Sequence, residues 1–315
     1  MKINKVLLIG GTGYIGASIA EQLARQEIFI TVPTRRRERG KHLFTLPTVD
    51  VVEADVFNQA QLEELVSRHD AVINLVGILH GDFERVHVAL PKMVAQACAK
   101  TGVERLIHMS ALNADVDGPS DYLRSRGRGE AAVRDVCKAS PALNVTMFRP
   151  SVVFGENDAF LNLFAGLLKV FPLLPLGSPK ARFQPVWVED VARAFVSSIN
   201  LLAARNQTFV LVGPKVYTLR ELVDFVAAII GRRRLIFGLG PALSMLQASV
   251  LEILPGKLIT PDNVRSMSLP STSDQPFPAV FGAAAAMESV VPTYMGSVAG
   301  DSRNRYQQFR DAAGR

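Results

Sequence analysis

Seven consecutive residues near the amino terminus, Gly10-Gly11-Thr12-Gly13-Tyr14-Ile15-Gly16, contain two overlapping glycine triplets, Gly11-x-Gly13-x-x-Gly16 and Gly10-x-x-Gly13-x-x-Gly16. They stand between an aliphatic run at residues 6–9 and an amphipathic stretch that opens near Tyr14. Glycine at such a turn allows a tight bend, close approach of the main chain to a pyrophosphate, and close packing of helix on strand. The unpaired N–H groups and the helix dipole then favour an anion. A dinucleotide is therefore expected against Gly10, Thr12, Gly13, Tyr14, Ile15 and Gly16; the alternative is a bare strand-to-helix turn.

The next aliphatic run ends in Val32-Pro33-Thr34-Arg35-Arg36-Arg37. A carboxylate at this place would take a ribose 2′-hydroxyl, and none is present. Thr34, Arg35 and Arg36 instead offer charge-assisted hydrogen bonds to a 2′-phosphate, which favours NADP(H) over NAD(H). The alternative is a solvated basic loop. Asp55 and Val56, just beyond the third run, are expected at the adenine edge.

The elements that must position these groups alternate along the amino-terminal half. Strands are expected at residues 6–9, 28–32, 49–53, 71–75, 106–109 and 145–148, with helices starting near Tyr14, Gln59, Val86 and Leu123. Val86, Leu90, Val94 and Ala97 recur at helical spacing, and Gly102 is a natural stop. Such alternation predicts an α/β fold, a Rossmann-type doubly wound parallel sheet with helices on both faces. Beyond Arg149 the pattern loosens. It predicts a helix over 160–170, a strand over 183–188, Asp190 as the N-cap of the following helix, and a capping box at Thr218 and Glu221. The division expected is a dinucleotide-binding core over 1–150, with its sheet completed by later segments. A smaller substrate-side lobe would follow over 151–297, then a polar, frayed tail over 298–315.

These features together resemble an atypical short-chain dehydrogenase/reductase of the extended type. The resemblance spans about residues 5–295 and includes Asn74-Leu75-Val76-Gly77, Ser110, Tyr122 and Arg149-Pro150-Ser151. Residues 73–80, His108-Met109-Ser110-Ala111 and Tyr122-Leu123-Arg124-Ser125 resemble one branch more closely. That branch holds the dehydrogenase-like accessory subunit of mitochondrial complex I and its bacterial relatives. The resemblance implies contacts to the nicotinamide half of a dinucleotide from Asn74, Val76, Gly77, Pro150 and Ser151. It further implies a catalytic group of Ser110, Tyr122 and a lysine four residues on. Arg126 stands in that lysine's place. Arginine keeps a positive field and can donate to a ribose, but it stays protonated and cannot relay a proton. A phenol with an ordinary pKa near ~10 is a poor base without a neighbouring cation. Of the nearby arginines, only Arg126 shares the face of Tyr122 one helical turn on.

The implied function is a dinucleotide-binding, dehydrogenase-like protein whose cofactor is structural or redox-sensing. The alternative is an active oxidoreductase or nucleotide-sugar epimerase-type enzyme using Tyr122 and Ser110. A respiratory complex or a membrane-associated protein is the partner implied.

Composition narrows the field further. The chain has 315 residues, 48% hydrophobic and 20% charged, which suits a packed core. Two cysteines exclude a disulfide scaffold, and no Cys/His spacing marks a metal site. A net charge of +6 is modest, so a phosphate-bearing small molecule or an anionic surface is expected rather than nucleic acid. With a strand expected from Val6 and no apolar run of membrane-spanning length, a cytoplasmic protein without a transmembrane segment is expected, peripheral to the inner membrane if membrane-associated. Arg232–Arg234 read as cations offsetting a helix dipole; the alternative is a site for an anionic lipid or partner. Leu243, Leu246, Val250 and Ile253 form an apolar helical face, expected to pack into the core of the second lobe. The alternative is a membrane-surface or partner-docking helix; Glu252 as the one charge of its polar face argues against a basic membrane helix, so protein contact is expected over lipid if it docks.

Overall fold

The computed structural model describes residues 3–253 and 259–296; the expected tail over 298–315 lies outside these. Seven parallel strands form the central sheet. They are β1 (Lys5–Ile9), β2 (Phe29–Thr34), β3 (Val49–Glu53), β4 (Ala71–Asn74), β5 (Arg105–Met109), β6 (Asn144–Pro150) and, from far along the chain, β11 (Thr208–Leu211). Their spatial order is β11-β6-β5-β4-β1-β2-β3. The chain first builds outward from β1 to β3, then crosses back to β4 on the other side of β1. A crevice opens at that reversal, along the carboxyl ends of the strands.

Strand residues alternate between the two faces. Val6 and Leu8 of β1 pack with Ile19 and Leu23 of α1 (Tyr14–Ala24) and with Phe195 of α6 (Val188–Asn200). Leu7 and Ile9 face the other way, toward α2 (Gln59–Ser67) and α3 (Leu90–Thr101). The fourth helix on the sheet, α4 (Asp121–Ala139), lies beside α3. β4 and β5 are buried along their whole length, as inner parallel strands covered on both faces must be. One turn of π-helix, residues 84–89, precedes α3, so the helix expected from Val86 begins with an irregular turn.

A second apolar cluster forms the carboxyl-terminal lobe. Its helices are α5 (Ala159–Val170), α7 (Leu219–Ile229) and α10 (Met287–Met295), which bury Leu161, Leu222, Val226 and Val291. Short pairs complete it: β7 (Val153–Phe154) with β10 (Val186–Trp187), β9 (Arg182–Phe183) with β12 (Tyr217–Thr218), and β8 (Leu173–Leu176) with β13 (Leu235–Gly238). The single strand expected over 183–188 is thus two short ones with different partners. Pro185 separates them, and it has no N–H to continue a ladder.

Two further expectations are corrected. The N-cap of α6 is Trp187, and Asp190 lies inside the first turn. There its carboxylate accepts from the Ala285 N–H at 2.7 Å and pairs with Arg193 at 2.8 Å, so it fastens the carboxyl-terminal segment to the core. The capping box at Thr218 and Glu221 is present.

The other correction concerns α8 (Pro241–Ile253), which is oriented opposite to expectation. Its Ser244 and Ala248 are buried, while Leu243, Leu246, Val250 and Ile253 are exposed. Polar bonds hold the inner face: Ser244 Oγ accepts from the Ser178 N–H at 3.0 Å, and Gln247 Nε2 donates to the Pro175 carbonyl at 2.8 Å. Short α9 (Pro261–Ser266) follows. Among the described residues no helix is long and apolar enough to cross a membrane.

Gly16 fixes the spacing of α1 on β1. A Cβ there would overlap the Gly10 carbonyl oxygen and come within 2.6 Å of Gly11 Cα, both main-chain atoms that cannot yield cheaply. Gly16→Ala is expected to lower stability in urea unfolding by about 1–3 kcal/mol. Gly166→Ala, on α5 with open space around it, is expected to raise stability by up to about 1 kcal/mol.

Candidate functional site

The glycine-rich turn lies where β1 meets the crevice. Gly10 has φ +88°, and a Cβ on it would press within 3.3 Å of the Leu75 main chain at the end of β4. Gly13 is the N-cap of α1 in extended conformation, with no side-chain cap. The first-turn N–H groups of Tyr14, Ile15 and Gly16 are therefore left without intrahelical or capping acceptors. Thr12 sits between the two turn glycines. The Tyr14 side chain departs from the turn: its hydroxyl is buried without a hydrogen-bond partner against Gly155, and burial, then the nearby Asp158 carboxylate, push its pKa up.

Next along the carboxyl edge, Thr34 ends β2 with its side chain buried. Its Oγ1 donates to the Arg36 carbonyl at 3.2 Å and accepts from the Arg36 N–H at 3.4 Å. This local turn leaves Arg35 and Arg36 exposed, while Arg37 stacks 5.4 Å from the Phe44 ring centroid. After β3, Asp55 Oδ1 accepts from the Phe57 N–H at 3.0 Å, and the Asp55 N–H donates to Gln61 Oε1 at 2.9 Å. Val56 is half-buried against the α2–α3 side.

Across the reversal, Asn74 ends β4. Its Oδ1 accepts from the Val76 N–H at 3.2 Å, and its amide lies 3.4 Å from His108 Nδ1. Gly77 follows, with the Arg126 guanidinium so close that a Cβ there would collide with it. Arg126 is only 7% exposed, donates to the Met109 carbonyl at 3.2 Å, and leaves Nε without a partner. Its guanidinium carbon lies 5.5 Å from the Tyr122 ring centroid. Among the described residues it has no carboxylate partner. Such a buried, partly unpaired cation is costly unless something negative or hydrogen-bonding meets it.

Tyr122, Arg126 and Glu130 repeat every four residues along one face of α4. Tyr122 is half-buried, edge-on to His87 at 5.6 Å and to Phe83 at 6.1 Å. Ser110 turns elsewhere. Its buried hydroxyl makes no hydrogen bond of regular geometry but lies by the Glu130 carboxylate, two turns beyond Tyr122. Among the described residues no hydrogen bond or ring contact joins Ser110 to Tyr122. Pro150 is buried at the end of β6. The Ser151 hydroxyl donates to the Ser271 carbonyl at 2.8 Å, so it ties β6 to the carboxyl-terminal segment.

Several residues of this site carry no signal in the sequence pattern. Glu130, fully buried, receives Arg149 Nε at 2.7 Å and Nη2 at 2.6 Å. Burial pushes its pKa up, but the Arg149 and Ser110 hydrogen bonds and the Arg149 and Arg134 charges outweigh it and hold it low. Arg149 demands an acid wherever it is buried, yet local spacing could not say which.

His87 joins three segments. Its Nε2 accepts from the Ile78 N–H at 3.0 Å, so the proton sits on Nδ1, which donates to Ser125 Oγ at 2.8 Å. Ser125 in turn donates to the Tyr122 carbonyl at 2.8 Å. Burial first, then the Arg126 charge, push the His87 pKa down to about 3 and that of His108 to about 4. Both rings are neutral at pH 7. Asp262 of α9 completes the setting by accepting from the Asp121 N–H at 2.7 Å and the Tyr122 N–H at 3.0 Å. A cavity of about 560 Å³ opens here between Leu79, Phe83, Asp121, Arg128, Glu252 and Asp262.

A parallel sheet reversing beside a glycine-closed turn defines a nucleotide-binding Rossmann protein. The chain belongs to the NAD dependent epimerase/dehydratase family, whose model matches residues 6–213. It is 32% identical over 234 residues to the mitochondrial NADH-ubiquinone oxidoreductase 40 kDa subunit of Neurospora crassa, covering 72% of this chain and 60% of that protein. It is 33% identical over 229 residues to the mitochondrial NADH dehydrogenase [ubiquinone] 1 alpha subcomplex subunit 9 of Mus musculus, covering 70% and 59%. The chain thus spans about three fifths of the length of these relatives. In fold it is similar to an NADPH-dependent quinone oxidoreductase of Escherichia coli, with TM-score 0.74 and 17% identity over 92% of this chain and 99% of that one. The glycine cradle, the uncapped N–H groups and the orphaned Nε of Arg126 fit a dinucleotide along the crevice.

The buried groups predict how stability depends on pH. His87 and His108 have folded pKa values below their ordinary one, so their contribution is full above about pH 6.5 and is lost as pH falls toward about 4 and 3. Glu130 adds to this loss below its ordinary carboxylate range. Urea midpoints measured from pH 7 to pH 4 are expected to fall, and His87→Asn should reduce the slope. Glu130→Leu, which leaves the half-buried Arg149 without its acid, is expected to cost about 1–3 kcal/mol at pH 7.

Proposed function

We propose that this chain is an NADP(H)-binding, dehydrogenase-like protein whose cofactor serves as a structural or redox-sensing element, in the manner of an accessory subunit of a respiratory complex. The observation that carries this reading is Arg126. A guanidinium buried 5.5 Å from the Tyr122 ring centroid and bonded to the Met109 carbonyl has donors that a ribose could accept, but as an arginine it cannot pass a proton. With Ser110 turned to Glu130, no hydrogen bond among the described residues joins its hydroxyl to the phenol. Similarity to mitochondrial complex I subunits supports a partner of that class and a location peripheral to a membrane. The division proposed is a cofactor core over 1–150, completed by β11 and α6, and a partner-side lobe over 151–297.

In this reading the α1 amides and Gly10, Thr12 and Gly13 hold the pyrophosphate. Thr34 sets the turn from which Arg35 and Arg36 reach a 2′-phosphate, and Asp55 and Val56 border the adenine. Asn74, Val76, Gly77 and Arg126 line the other half, with Pro150 and Ser151 behind them. The bound nicotinamide would supply hydride chemistry. His87 and Asp262 hold the Gly77–Ile78 loop and the start of α4 in register around it.

A second reading, an NAD(P)H-dependent oxidoreductase or epimerase-type enzyme, is favoured by the cavity lined by Phe83, Asp121 and Asp262, which contact or adjoin Tyr122. The two readings separate cleanly. Protein purified without added nucleotide and released by mild denaturation is expected to yield stoichiometric NADP(H) by mass spectrometry. Tyr122→Phe should retain it; an enzyme would instead lose about 10²–10⁴ in turnover with that change. Cofactor choice has its own measurement. Arg35→Ala with Arg36→Ala should weaken NADPH binding roughly 10–100-fold and leave NADH within about twofold. Equal losses would sink the 2′-phosphate assignment.

A further inference from the structure

The outward face of α8 is the least expected surface of the molecule. Leu246 is 60% and Ile253 84% exposed, and Leu243 and Val250 are exposed with them, while Ser244, Gln247 and Ala248 turn inward. A lone surface helix in water does the opposite. The neighbouring pair β8–β13 repeats the pattern. Leu174, Leu176 and Ile236 are buried, but Leu173 and Leu235, cross-strand partners, are both exposed, as is Phe237. Val170 and Phe171, leading into β8, are exposed as well. So many large apolar side chains gathered on one corner mark a surface that something covers.

The charges around this corner indicate what. Lys169 adjoins Val170, and Arg232 and Arg233 precede Leu235; all three are exposed, with no acidic partner among the described residues. Arg234 Nε donates to the Leu168 carbonyl at 2.8 Å, which fixes the start of β13 beside the end of α5 and so gathers these cations at one edge. Glu252, the one charge of α8, lines the cavity beside α9. The corner is thus aliphatic and aromatic, rimmed by cations. The absence of lysine and arginine from α8 itself is made good by a different element.

We propose that the α8 face and the adjoining β8–β13 edge dock on an anionic lipid surface. The aliphatic side chains enter the headgroup boundary, and Lys169, Arg232 and Arg233 meet the phosphates. The surface is separate from the dinucleotide crevice. A nucleotide-free preparation would leave it untouched, and failure on lipid would leave the cofactor reading untouched.

The test is co-sedimentation of the full chain with phosphatidylcholine vesicles, with and without phosphatidylglycerol. Binding is expected to the anionic vesicles and to weaken with salt. Arg232→Ala with Arg233→Ala should weaken it about fivefold per arginine. Leu246→Ser with Val250→Ser, at exposed positions where the fold is unaffected by circular dichroism, should weaken it at least about tenfold. Three results would overturn the proposal: no vesicle binding, binding that the Leu246→Ser/Val250→Ser protein retains in full, or a dimer in light scattering that this double variant dissociates while vesicles bind neither form.

Discussion

The bidentate bond between Arg149 and Glu130 is the constraint on which the site depends. It joins the end of β6 to the middle of α4, where the buried Glu130 carboxylate would be costly without its half-buried arginine. Because it fixes the rotation of α4 about its axis, it also fixes where residues one and two turns earlier point. Arg126 is thereby carried over the ends of β4 and β5, and Tyr122 to the mouth of the crevice. Ser110 is drawn toward Glu130 by the same arrangement. The geometry that secures the helix therefore also separates the serine from the phenol.

Around α4 the structure uses neutral groups where charge would be expensive. His87 and His108 sit within reach of the Arg126 field, and both are held unprotonated by burial and by that field. His87 gains a fixed tautomer in return, and its two nitrogens span the loop after β4 and the first turn of α4. The π turn that carries it is packed tightly: a Cβ on Gly129 of α4 would collide with the His87 carbonyl. Irregular helical turns of this kind often accompany functional sites, because they re-aim a side chain without moving the helix that follows.

The carboxyl-terminal lobe contributes to both ends of this system. Asp262 caps the start of α4 from outside, and Ser271 holds Ser151 at the end of β6. The same lobe turns its most apolar helix outward. One lobe therefore orders the crevice on one side and presents a hydrophobic corner on another.

What the sequence determined by itself was periodic or local. Strand–helix alternation set the parallel sheet, and Gly10 to Gly16 set the cradle, because each depends on residues only a few positions apart. The lack of an acid after β2 and the presence of Arg126 in a lysine's place were equally legible, being matters of residue type. Where the chain broke its rhythm, local reading failed: Pro185 split an expected strand, and Asp190 served Ala285 and Arg193 rather than a helix end. The tertiary structure alone decided that Glu130 answers Arg149, that His87 links Ile78 to Ser125, and that Asp262 caps α4. Those partners lie 9 to 141 residues apart, so no spacing could announce them. The orientation of α8 was undecidable for another reason. An apolar helical face reads the same whether it meets a core or the outside, and only the polar bonds of Ser244 and Gln247 fix which side turns in.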